Sequence, residues 1–201
     1  GSEMCIRDSG RVVACLSEKG ILDETIIIYT SDHGDHMGER GLYLKGPMLY
    51  DSLLNVGMIA RGPGIQAGTS EIAPITTLDV AATICDYAGT TLPADAQSIS
   101  LKKCFEGNKS PHQAVYSEWD VAASRCGVRL DLRTVHTGNA KLTLELQSGD
   151  GELYNLINDK YEMKNLWDKP EAAALQAKMN ELLWLRPGEE LDTFDEPIGV
   201  A

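Results

Sequence analysis

Long apolar runs, paired cysteines and excess positive charge are all missing from this 201-residue chain. No apolar stretch approaches the roughly 20 residues of a membrane-spanning helix, so no membrane span is expected. The five cysteines, Cys5, Cys15, Cys85, Cys104 and Cys126, are odd in number and scattered, and none forms a CxxC pair. That argues against a disulfide framework and against a zinc–thiolate site. Lysine and arginine total 18 against 30 aspartates and glutamates, giving a formal net charge of −12. Such a balance argues against a nucleic-acid partner and an anionic membrane surface. It leaves room for a small anion held by one lysine in a shaped pocket. With 43% apolar and 24% charged residues, the composition is that of an ordinary globular chain. The length suits one domain with a core, or one domain and a small appendage.

The first residues, GSEMCIRDS, lack both a convincing period and the basic-head, apolar-stretch order of a secretion signal. They resemble a cloning scar, and residues 1–9 are read as a non-native leader outside the fold. From Gly10 to Gly20 the pattern is helical, with Val12, Val13, Cys15 and Leu16 on one face. ETIIIYT follows, and its three consecutive isoleucines leave no polar face, which predicts a strand covered on both sides as in a parallel sheet. NVGMIARG at 55–62 is a second such strand ending in the turn RGPG. Residues 76–89 predict a helix through Leu78, Ala81, Ala82, Cys85 and Ala88, closed by Gly89. Residues 90–113 read as a connector.

Beyond residue 113 the period changes. Leu130 and Leu132 alternate with Arg129, Asp131 and Arg133, and Leu142, Leu144 and Leu146 alternate with Thr143 and Glu145. This predicts a half-buried antiparallel hairpin, joined by AVYSEW before it and ELYNL after it. Pro170 opens a last helix through Leu175, Met179, Leu182 and Leu183. The expected class is therefore α/β: a partial parallel-type sheet with flanking helices over 10–113, then a small antiparallel subdomain with a C-terminal helix over 114–186, then a loose tail over 187–201.

The richest chemistry lies in TSDHGDHMGERGLYLKG, residues 30–46. Asp32 and His33 stand at the exit of the isoleucine strand, where open α/β sheets gather ligands. A carboxylate beside an imidazole offers oxygen and nitrogen to one divalent cation. Gly34, Gly38 and Gly41 allow the backbone to bend closely. Lys45 follows Asp32 by thirteen positions, enough for a loop to return its ammonium to the metal and build a receptor for a tetrahedral oxyanion. The same residues also suit a simple capped turn, with Asp32 accepting backbone N–H groups.

From TSDHG through Lys45, Tyr50, Asp51, Val56 and RGPG, and on through ITTLDVAATICDYAGTTLP and RTVHTGNAKLTLELQSGDGELYNLINDKYEMKNLWD, the chain resembles the second half of a type I, formylglycine-dependent sulfatase of the alkaline phosphatase superfamily. The resemblance implies an alkaline phosphatase-like fold, a sulfuric ester hydrolase, and a sulfate-ester small molecule or sulfated glycan as substrate. It implies that Asp32 and His33 complete a calcium site and that Lys45 binds the sulfate as a catalytic residue. The family's C/S-x-P-x-R nucleophile stretch and its Asp-Asp pair match nothing in this sequence. They are expected in an N-terminal half, so the isolated chain is expected to be inactive. A phosphodiester or phosphonate monoester hydrolase of the same superfamily, with zinc in place of calcium, is the alternative; a non-catalytic anion-binding domain is a third reading.

Two departures from the resemblance bear on the site. Val56-Gly57 stands where relatives often read Val-Pro. Arg40 stands where many carry histidine; its guanidinium suits a second anionic group of the substrate, or simply solvent. His36 with Asp35 could form an acid–base pair, or His36 could support the site residues from behind or stay at the surface. His112 and His136 lack partners at ligand spacing. Trp119, Trp167 and Trp184 read as core or subdomain anchors.

Overall fold

The computed structural model describes residues 2–121 and 127–187. Helix α1 (Ser2–Glu18) begins well before Gly10, so the leader continues the expected helix, whose Val12 and Cys15 face is exposed. Strand β1 (Ile27–Tyr29) pairs with β4 (Ile59–Arg61), Ile28 opposite Ala60. The pairing is antiparallel, not the parallel one predicted. The chain between them doubles back through short elements, β2 (His36–Met37), β3 (Tyr43–Leu44) and α2 (Asp51–Leu54), rather than crossing over through a long helix, and that return reverses the strand direction. Nor are the isoleucines covered on both sides. They are half-buried, and Tyr29 and Ile59 are 48% and 68% exposed, because the sheet has two strands.

Helix α3 (Asp79–Tyr87) forms where predicted, but it turns a polar edge inward. Asp79 and Thr83 are buried while Leu78 and Ile84 face out. Asp79 accepts the N–H groups of Thr76 and Ile99 and bonds His112 Nε2 at 2.7 Å, and the Thr83 hydroxyl accepts the Leu101 N–H. These bonds fold the connector back onto the helix; it carries one short helix of its own, α4 (Lys102–Phe105).

The C-terminal sheet is a meander in the order β5 (Val115–Val121), β6 (Leu130–His136), β7 (Ala140–Glu145), β8 (Gly151–Asn155), all antiparallel. Helix α5 (Ala173–Leu183) covers one face. There Val135, Leu142 and Leu153 pack with Met179, Leu182 and Leu183, and Trp167 closes the edge. The predicted half-buried hairpin is in fact buried on both faces. Segment 49–54 lies against the other side, where Leu49 and Leu53 pack on Leu132 with Trp119 and Leu130 beside them. Register explains the arrangement: Leu132 opposes Glu145 and Thr134 opposes Thr143, so the leucines of β6 and β7 point to opposite faces. Thr134 and Thr143, buried by that segment, bond each other at 2.8 Å. Of the three tryptophans only Trp184 fails as an anchor; at the end of α5 it is 57% exposed. The predicted loose tail lies, from residue 188 onward, outside the described residues.

Candidate functional site

The Asp32–His33–Gly34 turn is pressed onto helix α2. The Gly34 N–H donates to the Leu53 carbonyl at 2.7 Å, and a Cβ on Gly34 would stand 2.1 Å from the Ser52 carbonyl oxygen. Only glycine lets the backbone come this close. His33 Nδ1 lies 2.7 Å from the Gly34 carbonyl. A carbonyl only accepts, so Nδ1 donates, and in the neutral ring Nε2 is the acceptor. Nε2 lies 3.7 Å from Asp32 Oδ2. Asp32 also accepts the His33 N–H at 3.0 Å. Backbone N–H groups, His33's first among them, hold the Asp32 carboxyl below its ordinary value, so it is a carboxylate at neutral pH.

Lys45 arrives by way of a small hairpin. Strands β2 and β3 pair His36 with Leu44 and Met37 with Tyr43, which places Lys45 level with the residues just after His33. Gly38, at φ +114°, and Leu44, at φ +62°, take left-handed backbone at the two ends of this turn. The Lys45 ammonium donates to His33 Nε2 at 3.3 Å. The three residues expected to share a site therefore meet.

Arg40 does not join them. Its guanidinium lies over the Tyr50 ring, 3.6 Å from the centroid, and donates to the carbonyls of Tyr161 and Glu162. It is a tie to the C-terminal subdomain, and a substrate contact would require breaking it. His36 is buried, with Nδ1 2.8 Å from the Ser52 hydroxyl and its ring edge-on to Tyr50, while Asp35 is exposed; they form no acid–base couple. His136 stands 3.4 Å from Asp51, and His112 lies 2.7 Å from Asp79, so both are committed to carboxylates within the fold.

Sequence reasoning missed two charges. Lys141 and Glu162 are 1% and 3% exposed and pair with each other beneath segment 49–51. Lys141 Nζ donates to the Leu49 carbonyl at 2.7 Å and to Asp51 Oδ1 at 3.2 Å. Glu162 Oε2 accepts the Asp51 N–H at 2.9 Å. Burial raises the Asp51 pKa, but His136 and Lys141 outweigh it, and the carboxyl lies below its ordinary value. Lys141 reads as a solvent-facing position because it alternates with leucines; the one signal is its place in the AKLTLELQSGDGELYNL stretch that carries the family resemblance.

Among the described residues no group of three or more His, Cys, Asp and Glu side chains converges on a metal position. Asp32 Oδ2 and His33 Nε2 lie side by side at 3.7 Å, an oxygen and a nitrogen donor at one turn. That donor pair fits a divalent cation as part of a coordination shell and is too small to be the whole of one.

A family model described as "N-sulphoglucosamine sulphohydrolase, C-terminal" matches residues 38–186. The chain is 33% identical over 186 residues to an N-acetylglucosamine-6-O-sulfatase of Bacteroides thetaiotaomicron, a match that takes in 87% of this chain and 32% of that one. The solved complex of BT4656 with its substrate D-glucosamine-2-N,6-O-disulfate superposes with a TM-score of 0.80 at 31% identity, over 88% of this chain and 36% of that one. A phosphonate monoester hydrolase from Silicibacter pomeroyi superposes with a TM-score of 0.78 at 25% identity, over 88% of this chain and 37% of that one. The chain thus spans about a third of the length of the relatives it matches. Its α/β architecture is alkaline phosphatase-like, and with a family match across more than half its residues the chain belongs to the sulfatase family, as a C-terminal part of such a protein.

Proposed function

We propose that this chain supplies one wall of a sulfate-ester hydrolase site. Asp32 and His33 hold a single divalent cation, calcium ahead of zinc, and Lys45 holds the sulfate of a sulfated sugar. The carrying observation is the convergence of Lys45 Nζ on His33 Nε2 at 3.3 Å, within a family whose relatives are named as sulfatases. Calcium, when bound, neutralises charge on the sulfate oxygens.

The chain's own residues do the rest of the positioning. Asp32 is already ionised, and the Gly34 carbonyl at His33 Nδ1 leaves Nε2 as the ring nitrogen turned to the cation. With a cation held by that pair, Lys45 would part from His33, and its ammonium would be free to hold a tetrahedral anion beside the cation. The Gly34 carbonyl fixes the ring's orientation through Nδ1. The formylglycine nucleophile and further cation ligands that this reading calls for match nothing in the sequence, so the 201-residue chain by itself is expected to show no turnover.

A phosphonate monoester hydrolase is the second reading, favoured by the structural likeness to that enzyme. Replacing the matching third of the Bacteroides N-acetylglucosamine-6-O-sulfatase by this chain, and assaying sulfate release from a 6-O-sulfated sugar beside hydrolysis of a phenylphosphonate monoester, tests both. Sulfate release lost on Lys45→Ala supports the first reading. Phosphonate hydrolysis with no sulfate release replaces it by the second.

A further inference from the structure

We infer that the buried Lys141–Glu162 pair is a positioning device for Lys45, fixing both ends of the loop that carries it. The inference rests on the reading of Lys45 as the anion-binding residue. It concerns two side chains roughly a hundred positions away in sequence.

Downstream of Lys45, Lys141 grips the Leu49 carbonyl and the Asp51 carboxylate, and Glu162 grips the Asp51 N–H. Upstream, the backbone carbonyls of Tyr161 and Glu162 receive the Arg40 guanidinium. Glu162 serves both ends at once. It takes left-handed backbone, φ +55°, in the turn where its N–H bonds the Asp159 carbonyl. That conformation lets its carbonyl meet Arg40 while its carboxylate meets Lys141 and Asp51. Between the anchors, Gly41, Tyr43, Leu44 and Lys45 are exposed, and the stretch is otherwise tied by its own β2–β3 pairing and by the Lys45–His33 contact.

Energetics favour this role over a purely stabilising one. A buried ion pair is often matched or exceeded in stability by apolar side chains of the same volume. What apolar side chains cannot do is select a register by bonding particular carbonyls and N–H groups. Here the atoms selected belong to the segment leaving Lys45, and to the arginine that precedes it.

The test uses the 201-residue chain with Lys141→Met/Glu162→Gln, and separately Arg40→Lys, which keeps the charge but loses the guanidinium fork. Amide exchange is followed at Gly38, Gly41 and Leu42, whose N–H groups close the hairpin turn. In parallel, lysines carrying ¹³C-methyl labels are titrated with inorganic sulfate in the presence of calcium, reading Lys45. In both variants exchange in the turn should quicken, and the apparent sulfate affinity at Lys45 should fall about tenfold, the usual effect of removing a supporting partner. Exchange in β6 and β7 should stay unchanged. Unchanged turn exchange and sulfate response overturn the inference. Uniform acceleration through β6 and β7, or failure of the double variant to fold, overturns it too, because the pair would then be a requirement of the fold. If Lys45 ignores sulfate in the unsubstituted chain while turn exchange still rises in the variants, positioning stands and the sulfate reading falls.

Discussion

The Lys45 ammonium and the His33 imidazole meet at 3.3 Å, through the one ring nitrogen that the Gly34 carbonyl leaves free to accept. The contact joins residues twelve positions apart through a hairpin whose register puts Leu44 opposite His36. It also sets a competition, since a cation at His33 Nε2 must displace the ammonium.

The first prediction concerns the backing of that turn. Gly34→Ala places a methyl group against the Ser52 carbonyl, a backbone atom with nowhere to go. We expect a loss of about 1–3 kcal/mol in urea unfolding. The Leu53 carbonyl should lose its Gly34 partner, seen as faster amide exchange at Gly34.

Acid should loosen the docked segment through Asp51. Its folded pKa lies below the ordinary 3.8, so its contribution to stability is fully present above about pH 4 and is lost as pH falls through the lower, folded value. Asp51→Asn should therefore be less stable than the unsubstituted chain by about 1–3 kcal/mol at pH 6, the range for hydrogen bonds to a charged group. That difference should shrink towards zero as pH is lowered below 4. A difference that stays constant with pH removes Asp51 from the account.

A third expectation concerns the connector. Asp79 is fully buried with three donors upon it, so Asp79→Ala leaves the Thr76 and Ile99 N–H groups unpaired. A loss of about 1–3 kcal/mol for each stranded group is expected. Restoring apolar packing elsewhere should not recover it, which thermal melting of Asp79→Ala beside His112→Ala will show.

The open two-stranded sheet carries a fourth. Tyr29 and Ile59 lie opposite each other on exposed backbone, a pairing surface for other copies. Size-exclusion chromatography of the isolated chain should show concentration-dependent association, and Ile59→Lys should reduce it. A sharp monomer peak at all concentrations contradicts this.

Much of the site was legible because it is local. Strand end, glycines and lysine lie within sixteen residues, and a hairpin is a short-range structure. Strand direction was not legible, because three isoleucines look alike in a parallel or an antiparallel pair. Lys141 escaped for a different reason. Its alternation with leucines is what a solvent-facing position gives, and only segment 49–54, ninety positions earlier, converts that face into interior. Arg40 likewise reads as a loop charge until Tyr50 and the Glu162 turn are placed around it. Residues 1–9 lacked a period strong enough to predict a helix, yet α1 begins at Ser2.

The most direct measurement is a calcium titration of the 201-residue chain, followed by nitrogen NMR of the His33 ring and of the Lys45 side chain. With calcium raised to roughly 50 mM, well above the millimolar range of weak oxygen sites, the account predicts movement of His33 Nε2 and of Lys45 Nζ along one binding curve. Asp32→Asn should abolish both. Shifts confined to other acidic surface residues, with both nitrogens unmoved throughout the titration, would contradict it.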